Sequence, residues 1–552
     1  MATDTKKKKS NTMSAEETKL RATHPIHDKY YDEWTFLNAA YEGVRALIAW
    51  GALYKHERES ETNYQRRLKA AYGFSYSKSV VDIFNSYLFK KEFPSEIPES
   101  LSNDEQWKQF QKDCNLEGST FDNFFVDEQR NASILGHVGL LVDKPQSEKA
   151  TVAEEKEANI YPYVVAYKPM AIMDWKIERD EFGRKKLTYL KVLDDDDRYR
   201  IWTPEKWEVW ELQNTKTGER IGVTEITQVG EQPTAAENKG KGMAAVKVSE
   251  GDHDLKEIPF VLLYNQKSNI DKEVGVSDIT DISRVDGSLI RNLSQIEEII
   301  DYAAFPMMRK PMKEAGASAD PADEVGATAV LEFDPDNPDS KSDWLDAVVE
   351  GPIKAIIEVI DKKIGEVYRS SNIGGMSATE MSTSAKSGVA LKTEFQLLNS
   401  KLVKKGKNVS KAKYDVTRLW LMWQDQWDKY KDDVHFYHIK SFEIEDLATD
   451  LENILTSSVI VTQSDTYKKE YQKVVVRMIL PSVDEEVLTA IDKEIEDGTY
   501  TGLGDFFAGQ QGEDEGGEFG KEGKPEEGAP SSEEIGAKAV STAKAKGKEE
   551  SK

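Results

Sequence analysis

Apolar residues recur along this chain at two spacings, and the switches between them outline its architecture. Tyr30, Trp34, Leu37, Tyr41, Val44 and Ile48 fall three or four apart, which is one face of a helix. Further helices are expected over about Glu61–Tyr72, around Val80, Val81, Phe84, Tyr87 and Leu88, near Trp107 and Phe110, and over Phe121–Ser133. After Gly136 the period becomes that of strands. His137–Val142, Tyr163–Tyr167, Leu187–Leu193, Tyr199–Trp202, Trp207–Leu212, Ile221–Ile226 and Phe260–Tyr264 are β-branched or aromatic runs bounded by turn residues. Residues 230–242 lose periodicity and read as a long hairpin loop.

Helical spacing returns between residues 277 and 432. Ile279, Ile282, Val285, Leu289, Leu293, Ile296 and Ile300 form one stripe on a helix ending near Ala304. Ile353, Ile356, Ile360, Ile364 and Val367 form another over Pro352–Arg369, with Pro352 suited to the first helical position. Both stripes are narrow and rich in β-branched residues, which suits packing against neighbouring helices. Between them a Pro- and Asp-broken excursion, 305–351, holds three short strands: Met307–Arg309, Ala327–Phe333 and Trp344–Val349. A lobe of that size is hard to stabilise alone. A Gly/Ser/Thr/Lys loop, Gly374–Gly388, leads into a very long helix that ends near Lys431, with a kink expected near Gly406. Its Trp420, Trp423 and Trp427 are spaced as a buried seam. A strand over Val434–Ile444 and helices over Tyr467–Ile479 and Asp484–Ile495 close the patterned region. Residues 1–25 and the Gly/Glu/Lys-rich stretch from Ala508 lack periodicity and are expected to be disordered.

Charge narrows the functional classes. The chain carries 100 acidic and 74 basic residues, a net charge of −26, so on average it repels nucleic acid. The first striped helix has an acidic opposite face: Asp278, Asp281, Asp286, Glu297, Glu298 and Asp301. One region reverses the sign. Between Gly374 and Lys411, Lys386, Lys392, Lys401, Lys404, Lys405, Lys407 and Lys411 stand against Glu380 and Glu394. This is either a solvated face or a phosphate-contacting loop. A single cysteine, Cys114, excludes an intrachain disulfide and a cysteine zinc cluster. No apolar run approaches the length of a membrane span. No P-loop, nucleophile elbow or H-E-x-x-H motif occurs. His435 and His438 sit at odd spacing in an expected strand and so face opposite sides. Asp194–Asp197 falls between two strands, where a polar turn is expected, though a hard cation also favours clustered oxygens. No catalytic residue, metal site or cofactor is assigned.

The order of elements resembles that of tailed-bacteriophage portal proteins across residues 26–500. The resemblance rests on Leu53-Tyr54 with Glu57–Ser60, Tyr64 and Arg67-Leu68; on Ile134–Asp143 with Pro145, similar to a "G-x-x-G-hydrophobic-Asp-x-Pro" strand; on Ile258–Val261; on Ser387–Leu391; and on Lys468–Ile495 with Leu480-Pro481. It implies an α+β subunit. Residues 1–25 would be an arm, 26–270 a wing of helices and sheet, and 271–304 and 352–372 two stem helices. Residues 305–351 would form a small β-containing clip, 373–440 a tunnel loop and long kinked helix, 441–507 a helical crown, and 508–552 an acidic tail. The implied function is a ring-shaped channel at one capsid vertex, through which double-stranded DNA is packaged and ejected. The implied partners are further copies of the chain (a dodecamer), double-stranded DNA, the terminase large subunit, a head–tail adaptor, and the major capsid protein with its scaffold. The protein would be assembled in the host cytoplasm and reside in the virion, with no membrane contact. On this resemblance Lys386, Lys392, Ser384 and Thr383 would face DNA from the tunnel loop, and the acidic stem face would let DNA slide. Ile282, Leu289, Ile296, Ile356, Ile360 and Ile364 would form the seam between subunits. Another virion connector or minor capsid protein is an alternative. A metal-dependent nucleic-acid enzyme built on Asp194–Asp197 is a remoter one.

Overall fold

The computed structural model describes residues 15–145, 154–155, 158–194, 198–214, 243–304, 307–311, 330–333, 343–345, 349–373, 388–442, and helical residues between 466 and 497. The chain divides into two compact units, Met1–Ile444 and Glu445–Lys552.

In the first unit, α1 (Ala15–Arg21), α2 (Pro25–Glu42), α3 (Val44–Ala49), α4 (Glu61–Ala70), α5 (Tyr76–Leu88), α6 (Glu99–Ser102), α7 (Glu105–Lys112) and α8 (Phe121–Leu135) come first, with a two-residue strand β1 (Ser95–Glu96) among them. Two expectations change here. The apolar face read through Tyr30–Ile48 belongs to two helices, because Gly43 has φ 107°, a conformation that ends α2 and that side-chain-bearing residues avoid. The arm expected over residues 1–25 contains α1. Its C-terminal carbonyls at Lys19, Leu20 and Ala22 accept hydrogen bonds from the buried Lys191 ammonium, a partner about 170 residues away.

Strands follow: β2 (His137–Asp143), β3 (Tyr163–Tyr167), β4 (Ile172–Arg179), β5 (Lys185–Leu193), β6 (Tyr199–Trp202), β7 (Lys206–Asn214), β8 (Met243–Asp252) and β9 (Phe260–Tyr264). They form an antiparallel three-stranded sheet, β3-β2-β9, and an antiparallel five-stranded sheet, β4-β5-β6-β7-β8. The strands that spacing failed to pick out, β4 and β8, are the two edges of the larger sheet. The expected strand at Ile221–Ile226 and the loop at 230–242 lie outside the described residues. The Gly-rich start of β2 has a steric reason. Gly136 caps α8 at φ 92° with its backbone pressed on that of Gly275, and a Cβ on Gly139 would run into the Phe260 ring.

The chain then enters α9 (Ser283–Ala304), β10 (Met307–Pro311), β11 (Val330–Phe333), β12 (Asp343–Leu345) and α10 (Glu350–Ser371). The three short strands form a mixed sheet, β11-β10-β12, parallel on one side of β10 and antiparallel on the other. Next come α11 (Gly388–Trp423), α12 (Trp427–Tyr430) and β13 (His435–Phe436), which pairs with β1. α11 is continuous through Gly406, which lies against Phe93 and Phe442. The long helix expected to reach Lys431 is interrupted at Gln424–Gln426, with Asp425 at φ 54°. Of the strand expected over Val434–Ile444, the described residues, which end at Phe442, show two, His435–Phe436.

One large core joins α2, α5, α7 and α8, the β3-β2-β9 sheet and α11. The Trp420 ring packs 5.1 Å from Trp107 and 5.5 Å from Phe110, and its indole N–H donates to the Pro162 carbonyl. Trp423 is partly buried and donates to the Val142 carbonyl. The tryptophan stripe is thus core packing. In the second unit, α13 (Glu485–Glu496) is tied to the preceding helical residues by Lys473–Glu496 at 2.8 Å and Arg477–Asp492 at 2.6 Å.

Candidate functional site

α9 begins four residues after the first residue of its stripe, Ile279. Ser277 Oγ accepts the Ile279 N–H at 3.1 Å, and the carboxylate of Asp278 bonds the Lys405 ammonium, so Asp278–Ile282 forms turns rather than helix. Ile279 and Ile282 are buried regardless. The helix lies across the N-terminal helices. Arg291 donates to the Ala52 carbonyl at 2.9 Å, and Arg66 on α4 pairs with Glu298 at 2.8 Å and Asp301 at 2.5 Å. Tyr72 donates to Glu297 at 3.0 Å. Asp286 is buried and accepts the first amides of α5, from Tyr76 at 3.2 Å and Ser77 at 2.9 Å. Burial pushes its carboxyl up to about 6, against the opposing pull of those donors.

The acidic face read from the sequence is therefore largely taken up. Of its six carboxylates, Asp278, Asp286, Glu297, Glu298 and Asp301 bond groups of the same chain, and Asp281 is the exposed one. This face holds α9 and its approach to α4, α5 and α11.

α10 is in the opposite condition. Of its 22 residues only Val367 and Ser371 are buried. Its C-terminal end is anchored by these two, by Ile373, and by Asn372 in the left-handed conformation. Midway, Lys363 Nζ reaches α9, donating to Ser288 Oγ at 2.6 Å and Asn292 Oδ1 at 2.5 Å. Toward the N-terminus, Val349, Ile353 and Ile357 line a shallow open groove of about 540 Å³ with Glu350, Lys354 and Glu358. Ile357 is 45% and Val359 44% exposed, as is Ile300 (45%) on α9.

The expected seam residues divide accordingly. Ile282, Leu289 and Ile296 are buried within the chain itself, so they are not open to a neighbour. Ile356, Ile360 and Ile364 are half-buried. The exposed apolar positions that spacing missed, Ile357 and Val359, lie off the stripe. A helix that is apolar on more than one face is the available signal for contact on more than one side.

The lysines of the expected DNA-facing region also divide. Thr383, Ser384 and Lys386 lie outside the described residues, and Lys392 lies in the first turns of α11 with its side chain outside them. Lys405 is buried, and half-buried Lys401 covers the Phe84 ring, its amine pulled down by desolvation. Lys411 pairs with Asp415 at 2.6 Å. Lys404 and Lys407 are exposed on the outer face of α11. The local charge reversal is thus partly internal wiring.

Elsewhere, Asp194 accepts from Tyr167 at 2.6 Å and Arg200 at 2.6 Å, and Arg200 also bonds Asp143 at 2.6 Å. Asp195–Asp197 lie outside the described residues, and among the described residues no group of three or more His, Cys, Asp or Glu is arranged to hold a metal. No described helix is long and apolar enough to cross a membrane.

No curated protein matches the sequence. A family model does: that of phage portal proteins of the SPP1 Gp6-like type matches residues 23–498. With the match spanning most of the chain, and with paired helices bearing a small sheet between them, this chain belongs to the SPP1 Gp6-like phage portal protein family.

Proposed function

We propose that the portal role of this chain is carried by a ring in which α10, with the exposed part of α9, forms the subunit-to-subunit seam. The observation that carries the reading is that α10 buries only Val367 and Ser371 and leaves the apolar Ile357 and Val359 exposed. A 22-residue amphipathic helix with two fully buried residues gains only part of its stability from its own subunit, and the exposed Ile357 and Val359 are covered only by a second surface. A head-to-tail contact of this kind repeats around a closed ring. The ring is a dodecamer in this reading, with α9 and α10 as stem, residues 305–349 as clip, and the segment before α11 as the loop that faces DNA.

Charge supports a sliding path. The exposed ionic side chains of α10 are Glu350, Lys354, Glu358, Asp361, Lys362, Glu366 and Arg369, near balance in sign, so a duplex beside them is neither gripped nor expelled. Phosphate contact is left to Lys386 and Lys392. The clip receives the terminase during packaging and the head–tail adaptor afterwards, the wing meets the capsid and its scaffold, and assembly takes place in the host cytoplasm.

Negative-stain images of the purified protein test the ring: class averages with a central channel wide enough for duplex DNA are expected, and a population of monomers or dimers refutes it. The loop is tested by Lys386→Glu with Lys392→Glu. Intact rings with reduced DNA packaging or retention are expected, whereas packaging at the unmodified level removes the phosphate-contact reading.

A further inference from the structure

Lys405 is fully committed inside the subunit. Its ammonium has three donors, and all three are used: Ser133 Oγ on α8 at 3.0 Å, Asn265 Oδ1 at the end of β9, and the carboxylate of Asp278 before α9. Its acceptors are themselves fixed. Asn265 donates to the Val276 carbonyl at 2.9 Å, and the Asp278 N–H donates to the Ser133 carbonyl at 2.9 Å. One turn further along the same face of α11, Asn408 donates to the carbonyls of Tyr264 and Asn265 at 3.0 and 3.1 Å. Residues 265–278 make up most of the connection, 265–282, from the β3-β2-β9 sheet to α9. The face of α11 carrying Lys405 and Asn408 is therefore bonded to both ends of the segment that launches α9.

Apolar packing alone would seat α11 on this core, through Leu398, Leu402, Val409 and Val416. Such packing is non-directional and tolerates small axial slips. A desolvated ammonium with three directed bonds does not, because any slip strands a buried charge. We propose that Lys405 is a positioning residue that locks α11 to the root of α9, so that α11 and α9 keep one fixed relation while DNA passes. The proposal rests on the portal reading above, but its first readout needs no DNA.

The test compares Lys405→Met, Asp278→Leu and the double variant as full-length rings. Each single change leaves a buried partner uncompensated and is expected to lower thermal stability; the double change removes both charges and is expected to recover most of it. Spin labels on Gln295→Cys and Lys407→Cys, both exposed, report the α9–α11 distance, since the native Cys114 is buried. Rings of the unmodified pair are expected to give a narrow distance distribution, and the stability-recovered double variant a broadened one. Heads assembled with the double variant are expected to fill with DNA roughly tenfold less often, a size typical of coupling through a packed network. A distribution as narrow as that of the unmodified pair overturns the lock, whatever the tunnel-loop lysines do. A broadened distribution with normal filling overturns its role in DNA passage. If the double variant forms no rings, Asp278→Asn, which keeps the acceptor and removes the charge, is put through the same two readouts with the same criteria.

Discussion

Replacing Ile357 with Asp separates assembly from folding. In the isolated subunit Ile357 is 45% exposed in a groove lined, among the described residues, by Val349 and α10 itself, so the exposed part of the side chain meets no other described element. Exposed-site substitutions of this type stay within about 0.5 kcal/mol of neutral. In a ring the exposed part of the side chain is covered. Fully burying an isoleucine contributes about 1.5–3 kcal/mol, so covering the exposed 45% contributes roughly 1 kcal/mol at each interface. A carboxylate in the same place adds a desolvation penalty of several kcal/mol unless it finds a partner. Taking the low end, about 3 kcal/mol per interface weakens subunit association by about two orders of magnitude. Because every subunit supplies one α10, every interface of a closed ring bears this loss. Mass photometry across a dilution series should show rings for the unmodified chain and monomers for Ile357→Asp, with circular dichroism and thermal midpoint unchanged. Ile357→Ala should fall between, with association weakened about fivefold. Rings of Ile357→Asp that survive dilution like the unmodified ones would refute the assignment of this face to the seam.

Asp286, pushed up to about 6 by burial, is ionised in the unfolded chain at lower pH than in the folded one, so its contribution to stability is lost as pH rises from about 4 to 6 and is flat above. Asp286→Asn should remove that decline, up to about 3 kcal/mol between pH 4 and pH 7 in urea unfolding, and an unchanged pH profile contradicts it. Lys191→Met strips three carbonyls of α1 of their donor, so hydrogen exchange in Ala15–Arg21 should approach unprotected rates while the global thermal midpoint moves little; protected α1 amides would show that the latch is elsewhere. Gly139→Ala places a methyl against the Phe260 ring between β2 and β9 and should cost about 1–3 kcal/mol in urea unfolding, with a neutral result showing that the ring gives way freely.

The parts of the fold legible in the sequence are those where one face of an element meets one core. Tyr163–Tyr167, Tyr199–Trp202 and Phe260–Tyr264 coincide with β3, β6 and β9, internal or core-facing strands whose β-branched and aromatic runs leave no alternative. β4 and β8 escaped because much of their surface is exposed rather than because they are edges, since β3 and β9 are edges of the smaller sheet. The last four residues of β4 are all exposed, and β8 alternates small and charged residues, so neither carries a core-facing run. α1 escaped for a different reason: its last carbonyls are capped by Lys191, and no local pattern announces a partner so distant in sequence. The break at Gly43 was hidden by a stripe that keeps its spacing while the chain bends.

The site was less legible, because composition gives the sign of a charge but not its direction. Seven lysines between residues 374 and 411 looked like one basic surface, yet the helical period already sorted those of α11. Leu398, Leu402, Val409 and Val416 mark the buried stripe of α11, and Lys405 falls three residues after Leu402 and four before Val409, on that stripe. Lys404, Lys407 and Lys411 fall off it and are exposed. A lysine on a buried stripe calls for a desolvated partner, and an acidic residue at the foot of a neighbouring helix is the obvious supply. By the same logic composition could not show that the acidic residues of α9 have partners within the chain. Arg66, Tyr72, Lys405 and the amides opening α5 use up five of the six. The acidic face of α9 thus binds α9 and its approach to α4, α5 and α11, whereas α10 carries exposed charges that nearly cancel and keeps Ile357 and Val359 uncovered.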